Sequence, residues 1–462
     1  MDMRKILWLA ALFMGLQSSA AYAETPGPDI TEMFRQLQGQ MAQMQRTIEA
    51  QNLRIQQLES RTVIETPKPA VPLEPSVAEA VPWLKGLKQS GDLRLRYENF
   101  NYYDKAPLPA TSDDRDRTRF RFRLRWGLEK DFGDDWTAGF RLASGSATDN
   151  ASTNVTLGNP GHFTFKAILI DKAYALYSPD GLKDYGPLKG VTVGAGKFDN
   201  PFLRYSTGIL WDTDVTPEGL YEKATLQHVS TGSTKVTTHW TAGQFISNEN
   251  VGAETDAQVY GYQAALNVST KPVNLTTAVS YYDYPNWLQT VTSNTAGTSF
   301  LRTNTSALDN PRILDWYNEQ GFTIGSRPVT LWQDLVFNVG SIDDTRAGLH
   351  EVHGDDSAWG AGVKLGRLKN KGDWELHYGY YDIGANSVVA AFNDADFGGP
   401  GYMGHTNRFG HKFGLGYQLA TSTALNFTMS LVDVQDPASA TVAANAADEN
   451  VVRTQFDLLW KF

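Results

Sequence analysis

From about residue 88 onward the sequence is a succession of segments in which side-chain character alternates with period two, and the links between those segments alternate in length. Short links fall at 131–135, 230–233, 270–272, 325–328, 368–373 and 420–423, with a longer one on the same side at 179–190. Long polar links fall at 100–116, 147–163, 200–218, 247–256, 285–310, 341–356, 386–405 and 435–449. Seven links of the first kind interleave with eight of the second, which predicts sixteen strands. Tight turns join only antiparallel neighbours. An even set of antiparallel strands, with short turns at one rim and long loops at the other, is the pattern of a barrel closed within a bilayer. The predicted strands run 10 to 13 residues, and about 9–11 tilted residues cross a membrane.

The faces of these strands agree with that reading. In "TALNFTMSLVDV", Leu425, Phe427, Met429 and Leu431 share one side, and Asn426, Thr428 and Ser430 the other. The most polarised strand is "RDRTRFRFRLRWGLEKDF", Arg115 to Phe132, where six arginines alternate with Phe120, Phe122, Leu124 and Trp126. A guanidinium facing lipid near the midplane costs roughly 2–4 kcal/mol. Arg119, Arg121, Arg123 and Arg125 are therefore expected to face the lumen and the aromatics the lipid. Arg94 and Arg96 on the first strand and Arg141 on the third alternate in the same way. Together these seven form a candidate pore-lining basic ladder. The bland alternative is a soluble β-protein with a solvated arginine face. Aromatics gathered at the short-turn ends (Phe132, Trp136, Trp374, Trp460 and Phe462) match an interfacial girdle instead.

The ladder sits in a chain of net charge −10, so it is a local feature and no nucleic-acid partner is expected. There is no cysteine, which removes disulfides and thiolate metal sites. Residues 1–23 read as a secretory signal: Arg4 and Lys5, the apolar "ILWLAALFMGL", then the small-residue cleavage site Ala21 to Ala23. Residues 24–65 form a predicted periplasmic segment. Within it Ile30, Phe34, Leu37, Met41, Met44, Ile48, Gln51, Ile55 and Leu58 follow heptad spacing, with Phe34, Met41, Ile48 and Ile55 at a. This predicts an α-helical coiled coil and hence an oligomer. Residues 66–87 are a Pro-rich linker, stiff and extended. The expected fold is all-β, a sixteen-stranded antiparallel transmembrane β-barrel over 88–462, with that N-terminal coiled-coil segment.

Other patterns carry less. "GAGKFD", Gly194 to Asp199, lacks the third glycine and the following helix of a nucleotide loop. "DTD" at 212–214 and "NDAD" at 393–396 lack the distal Glu of a calcium loop and read as Asx-turns in surface loops. "HEVH", His350 to His353, has no helix to converge its rings. No catalytic constellation stands out, and no metal or cofactor is expected.

The closing segment "VVRTQFDLLWKF" places Phe456, Leu458, Trp460 and Phe462 on one face. It resembles the C-terminal signal that bacterial outer-membrane proteins present to their insertion machinery. With "GKFDNPF" (Gly196 to Phe202), "LWDTDVTPEGL" (Leu210 to Leu220) and "FNDADFGGPG" (Phe392 to Gly401), the chain resembles the bacterial family called putative porins. The resemblance covers most of 88–462. It implies a Gram-negative outer-membrane barrel that passes small hydrophilic solutes passively, assembled as a homotrimer, with the coiled coil in the periplasm and available to peptidoglycan. It also implies that the loop after strand five, 200–218, folds inward. That loop carries Asp212, Asp214 and Glu218, the candidate constriction acids, set across the opening from the arginines. The alternative function is a barrel that anchors the envelope and transports little.

Overall fold

The computed structural model describes residues 85–103, 116–203, 207–249, 255–287, 308–342, 355–398, 406–435 and 450–462. The chain divides into units at Met1–Ser76 and Val77–Phe462, and every described residue belongs to the second. The signal, the coiled coil, most of the linker and the "HEVH" stretch lie outside the described residues.

The strands are β1 (Leu87–Tyr103), β2 (Arg117–Gly133), β3 (Trp136–Ser144), β4 (Ile168–Tyr177), β5 (Leu188–Lys197), β6 (Glu218–Thr231), β7 (Thr234–Asn248) and β8 (Ala257–Thr270). They continue as β9 (Val273–Asp283), β10 (Arg312–Ile324), β11 (Arg327–Asn338), β12 (Ser357–Gly366), β13 (Trp374–Ile383), β14 (Arg408–Ala420), β15 (Thr423–Val434) and β16 (Asn450–Lys461). Each pairs antiparallel with its sequence neighbours, and β16 pairs with β1. Sixteen strands thus close on themselves and leave no free edge in the wall, the condition a sheet must meet in a bilayer. Phe462 completes the seam, since it and Gly91 exchange both backbone hydrogen bonds, at 2.8 and 3.1 Å.

Period two decides the facing. Phe120, Trp126, Trp240, Trp316, Trp359 and Phe456 are exposed on the outer surface, which suits lipid contact. Alternating positions are buried inside, among them Arg96, Arg121 and Arg123. One strand departs from strict alternation. At β4 the pairing with β3 shifts register between Arg141 and Leu142, so that Asp171 is bulged and both Asp171 and Lys172 are buried. That bulge explains why periodicity alone gives no clean facing there. β3 is short, and the patch Val155–Thr156 folds back to pair with Arg121 and Phe122 of β2 in its place.

The apolar core lies inside the barrel, near the long-loop ends of the strands. Phe198, Phe202, Ile209, Leu210 and Trp211 come from the link between β5 and β6. They pack on Phe245, Tyr282 and Ile313 of the wall. The rest comes from the link between β13 and β14, where Val388, Val389, Phe392 and Phe397 join the cluster.

Candidate functional site

β16, β1 and β2 lie side by side, and their inward positions form one sheet of charge. The register sets Arg94 opposite Arg123 and Arg96 opposite Arg121. Like charges directly across a ladder repel, so this arrangement requires carboxylates close by. Three come from the strands themselves. Asp92 holds Arg123 at 2.8 Å and Arg125 at 2.6 Å. Asp457 holds Arg96 at 2.7 Å. Glu98, with no exposed surface, accepts from Arg453 at 2.5 Å, from Gln455 at 2.8 Å, and from Arg119 through its other oxygen. Phe100, also fully buried, lies between the guanidiniums of Arg119 and Arg453, 5.2 and 4.9 Å from its ring centre.

Two more carboxylates come from the inward loops. Asp214 lies 3.1 Å from Arg125 and 3.8 Å from Arg123, and takes the Thr153 hydroxyl at 3.0 Å. Asp396 lies 2.8 Å from Arg96 and 2.6 Å from Arg453. The arginine neighbours outweigh burial and hold both loop carboxyls below the usual carboxylate range. Among the described residues these pairs form two groups, a balanced one of Arg123 and Arg125 with Asp92 and Asp214, and one of five guanidiniums with Glu98, Asp396 and Asp457; together they hold seven guanidiniums and five carboxylates, a formal excess of two positive charges. Arg94 and Arg121 are the least neutralised. Their nearest carboxylates are at 3.9 and 3.7 Å, and Asn154 takes up a donor from each, at 2.6 and 3.3 Å. Arg141 stands apart on β3, paired with Asp171.

The sequence-predicted acids separate. Asp214 sits directly on the arginines, where an opening was expected between them. Asp212 is buried but touches no arginine. Its carboxylate accepts backbone N–H groups of Asp214 at 2.8 Å and Ala395 at 2.7 Å, and burial beside Asp214 and Asp394 pushes its carboxyl up. Glu218 does not belong to this group. It is the first residue of β6, its side chain is 62% exposed, and it pairs with Lys197 at 2.7 Å. The Asx-turns at 212–214 and 394–396 are present, but they border the cavity in the lumen, the acids of the first buried and those of the second half-buried, and are not in surface loops.

They lie there because, among the described residues, the link between β13 and β14 enters the lumen beside the link between β5 and β6, where only the latter was expected to do so. Residues 385–391 are all buried. The loops grip each other through Asp212 N–H to Phe392 O at 2.6 Å, Asp394 N–H to Gly208 O at 2.8 Å, and Trp211 stacked on Phe392 at 5.1 Å. Gly208 has φ +88°, and a Cβ there would lie 2.9 Å from that of Asp394, so a side chain would part the loops. The apolar run "SVVAAF", Ser387 to Phe392, was the available signal, because a solvated loop has no use for it. Arg453 and Asp396 were missed as well. Arg453 is a lone arginine in its strand and joins the ladder only on closure, through its pairing with Phe100. "GAGKFD" turns out to be strand and turn. Gly194 lies in β5 beneath the Tyr221 ring, where a Cβ would come within 2.1 Å.

Between the loops and the far wall lies a cavity of about 580 Å3, lined by Arg94 and Arg123 on one side and by Tyr317, Trp332, Lys364 and Tyr381 on the other.

A closed sixteen-stranded antiparallel barrel with an apolar exterior and a charged interior is an outer-membrane channel protein. The chain matches the family described as "Putative porin" over residues 99–325 and 328–462, and it belongs to that family. No curated protein matches it. Among solved structures it is similar to Pseudomonas putida OprB at high pH, with 10% identity, 82% of this chain and 94% of that one covered, and a TM-score of 0.47. It is also similar to Salmonella typhi OmpF in complex with daunomycin, with 10% identity, coverage of 81% and 97%, and a TM-score of 0.43. The anion-selective porin from Comamonas acidovorans aligns with 11% identity, coverage of 81% and 99%, and a TM-score of 0.43.

Proposed function

We propose that the barrel is a diffusion porin, a water-filled passage for small hydrophilic solutes. The observation that carries this is the charged network of β16, β1 and β2, which borders the cavity through Arg94, Arg123, Asp214 and Asp396. Ionised groups at membrane depth are tolerated where they line water or pair with one another, and this network does both. Arg119, Arg121 and Arg125 stand behind that border as the ladder, with Arg96 and Arg453. Arg141 extends it on β3. The excess of two positive charges belongs to this one wall. Replacing Arg121 and Arg123 by Ser cancels the excess, and the reversal potential in a KCl gradient should move toward cations. An unmoved reversal potential would remove the ladder from the account.

The homotrimer forms through the outer face. Phe163 and Phe165, in the link between β3 and β4, are 104% and 102% exposed, with Ile168 and Ile170 exposed beside them; a patch of this kind marks an interaction site. Phe456, Leu458, Trp460 and Phe462 present the closing strand to the insertion machinery, and the coiled coil reaches periplasmic partners such as peptidoglycan. A second reading, an envelope anchor with little transport, is favoured by the two loops that fill part of the lumen.

A further inference from the structure

The wall across the cavity from the arginines is aromatic. Trp332 of β11 and Tyr381 of β13 line it, their ring centres 5.5 Å apart. The wall beneath Trp332 has no side chains. In the register Trp332 pairs with Gly362, which pairs with Gly379, so the three form one row across β11, β12 and β13. A Cβ on Gly362 would lie 2.6 Å from the indole and 2.4 Å from the Tyr378 carbonyl oxygen, one on Gly379 3.0 Å from the indole and one on Gly360 3.2 Å. Glycine weakens a strand interior and often marks a close approach. Here three glycines let the indole lie along the wall instead of projecting into the lumen. The cavity thereby gains a broad aromatic surface at little cost in width.

The charges around this surface nearly cancel. Arg94, Arg123, Lys364 and Lys412 line the cavity, against Asp212, Asp214, Asp394, Asp396 and Glu319. They supply many hydrogen-bond donors and acceptors but little net field for an ion. An aromatic platform with polar groups around it suits a neutral solute that has one flat apolar face and a rim of hydroxyls. Pyranose sugars fit this chemistry: their axial C–H groups cover an indole while their hydroxyls meet charged side chains. A planar anion would find the platform but no net attraction.

We infer that Trp332, laid on Gly360, Gly362 and Gly379, forms a stacking site for pyranose sugars in the lumen. The inference rests on the channel reading above and narrows its substrate class. Aromatic stacking is worth roughly 0.5–1.5 kcal/mol, about two- to twelve-fold in binding. The test uses the purified full-length protein in planar bilayers and in liposome-swelling assays, with D-glucose, its open-chain alcohol sorbitol and benzoate as probes. Glucose should reduce the KCl current saturably and sorbitol roughly five-fold less well. Trp332→Ala should abolish that difference while KCl conductance persists. Gly379→Ala, whose Cβ would meet only the Tyr381 and Trp332 rings, at 2.9 and 3.0 Å, should do the same, and heat-modifiable gel mobility shows that each variant is folded. Equal effects of glucose and sorbitol on the wild type would overturn the site, as would a preference that survives both variants. Stronger reduction by benzoate than by glucose would overturn it in favour of an anion site. Absence of KCl conductance in the wild type would instead overturn the channel reading.

Discussion

Replacing Glu98 by Gln tests how the arginine wall is held. Glu98 is fully buried and takes Arg453 at 2.5 Å and Gln455 at 2.8 Å on one oxygen and Arg119 on the other, with Arg121 at 3.7 Å and Arg96 at 3.9 Å. The amide keeps the shape but removes the charge, leaving seven guanidiniums against four carboxylates. Breaking a buried ion pair by removing one partner costs about 3–5 kcal/mol. Asp396 still holds Arg96 and Arg453, so the lower end, about 3 kcal/mol, is expected. Guanidinium unfolding of the barrel refolded in lipid vesicles, followed by gel mobility, would measure this. The double variant Glu98→Gln, Arg453→Met should lose less than the sum of the single losses, because the second change removes a charge that the first left unpaired. A loss below about 1 kcal/mol for Glu98→Gln would show that water in the lumen solvates these arginines, and so would strict additivity.

Three further outcomes follow from the loops and the outer face. Asp214→Asn leaves Arg123 and Arg125 to Asp92 alone and should raise conductance and shift selectivity toward anions in bilayer recordings; an unchanged conductance would mean that the link between β5 and β6 does not narrow the passage. Asp214 and Asp396 have depressed carboxyls in the fold, so their contribution is complete above the ordinary aspartate range near 4 and is lost as pH falls through the folded values. In Asp212→Asn, which removes the raised carboxyl beside them, conductance should therefore hold steady from pH 7 to about 5 and change only in stronger acid, whereas a transition between pH 5 and 7 in that variant would contradict those pairings. Phe163→Ser with Phe165→Ser should shift the assembly toward monomers on analytical ultracentrifugation in detergent while leaving single-barrel conductance intact, and an unaltered oligomer would place the interface elsewhere.

The barrel was legible because the link lengths and the period-two faces are local quantities, each confined to one hairpin. The short turns at 134–135, 232–233 and 271–272 and the closing strand through Phe462 all follow from them. The inward facing of Arg119 to Arg125 was legible for the same reason, since a strand with one charged and one aromatic face has only one arrangement in lipid. What sequence reasoning missed is nonlocal. The bulge at Asp171 depends on what β3 pairs with. Asp396 and Arg453 enter the network only once β16 closes on β1 and the second loop turns inward. Glu218 lies two residues past Thr216 in the same motif, yet it belongs to the wall, because β6 begins there. The run Val388 to Phe392 indicated burial, but no single-strand argument says what it packs against, and Trp211 lies far away in sequence.

The central claim is that water and ions pass through the closed barrel. Single-channel recording of the purified full-length chain in KCl measures this directly. Folded protein should give stepwise, ohmic conductance. Folded barrels that insert and conduct nothing would contradict it and leave the anchoring role in its place.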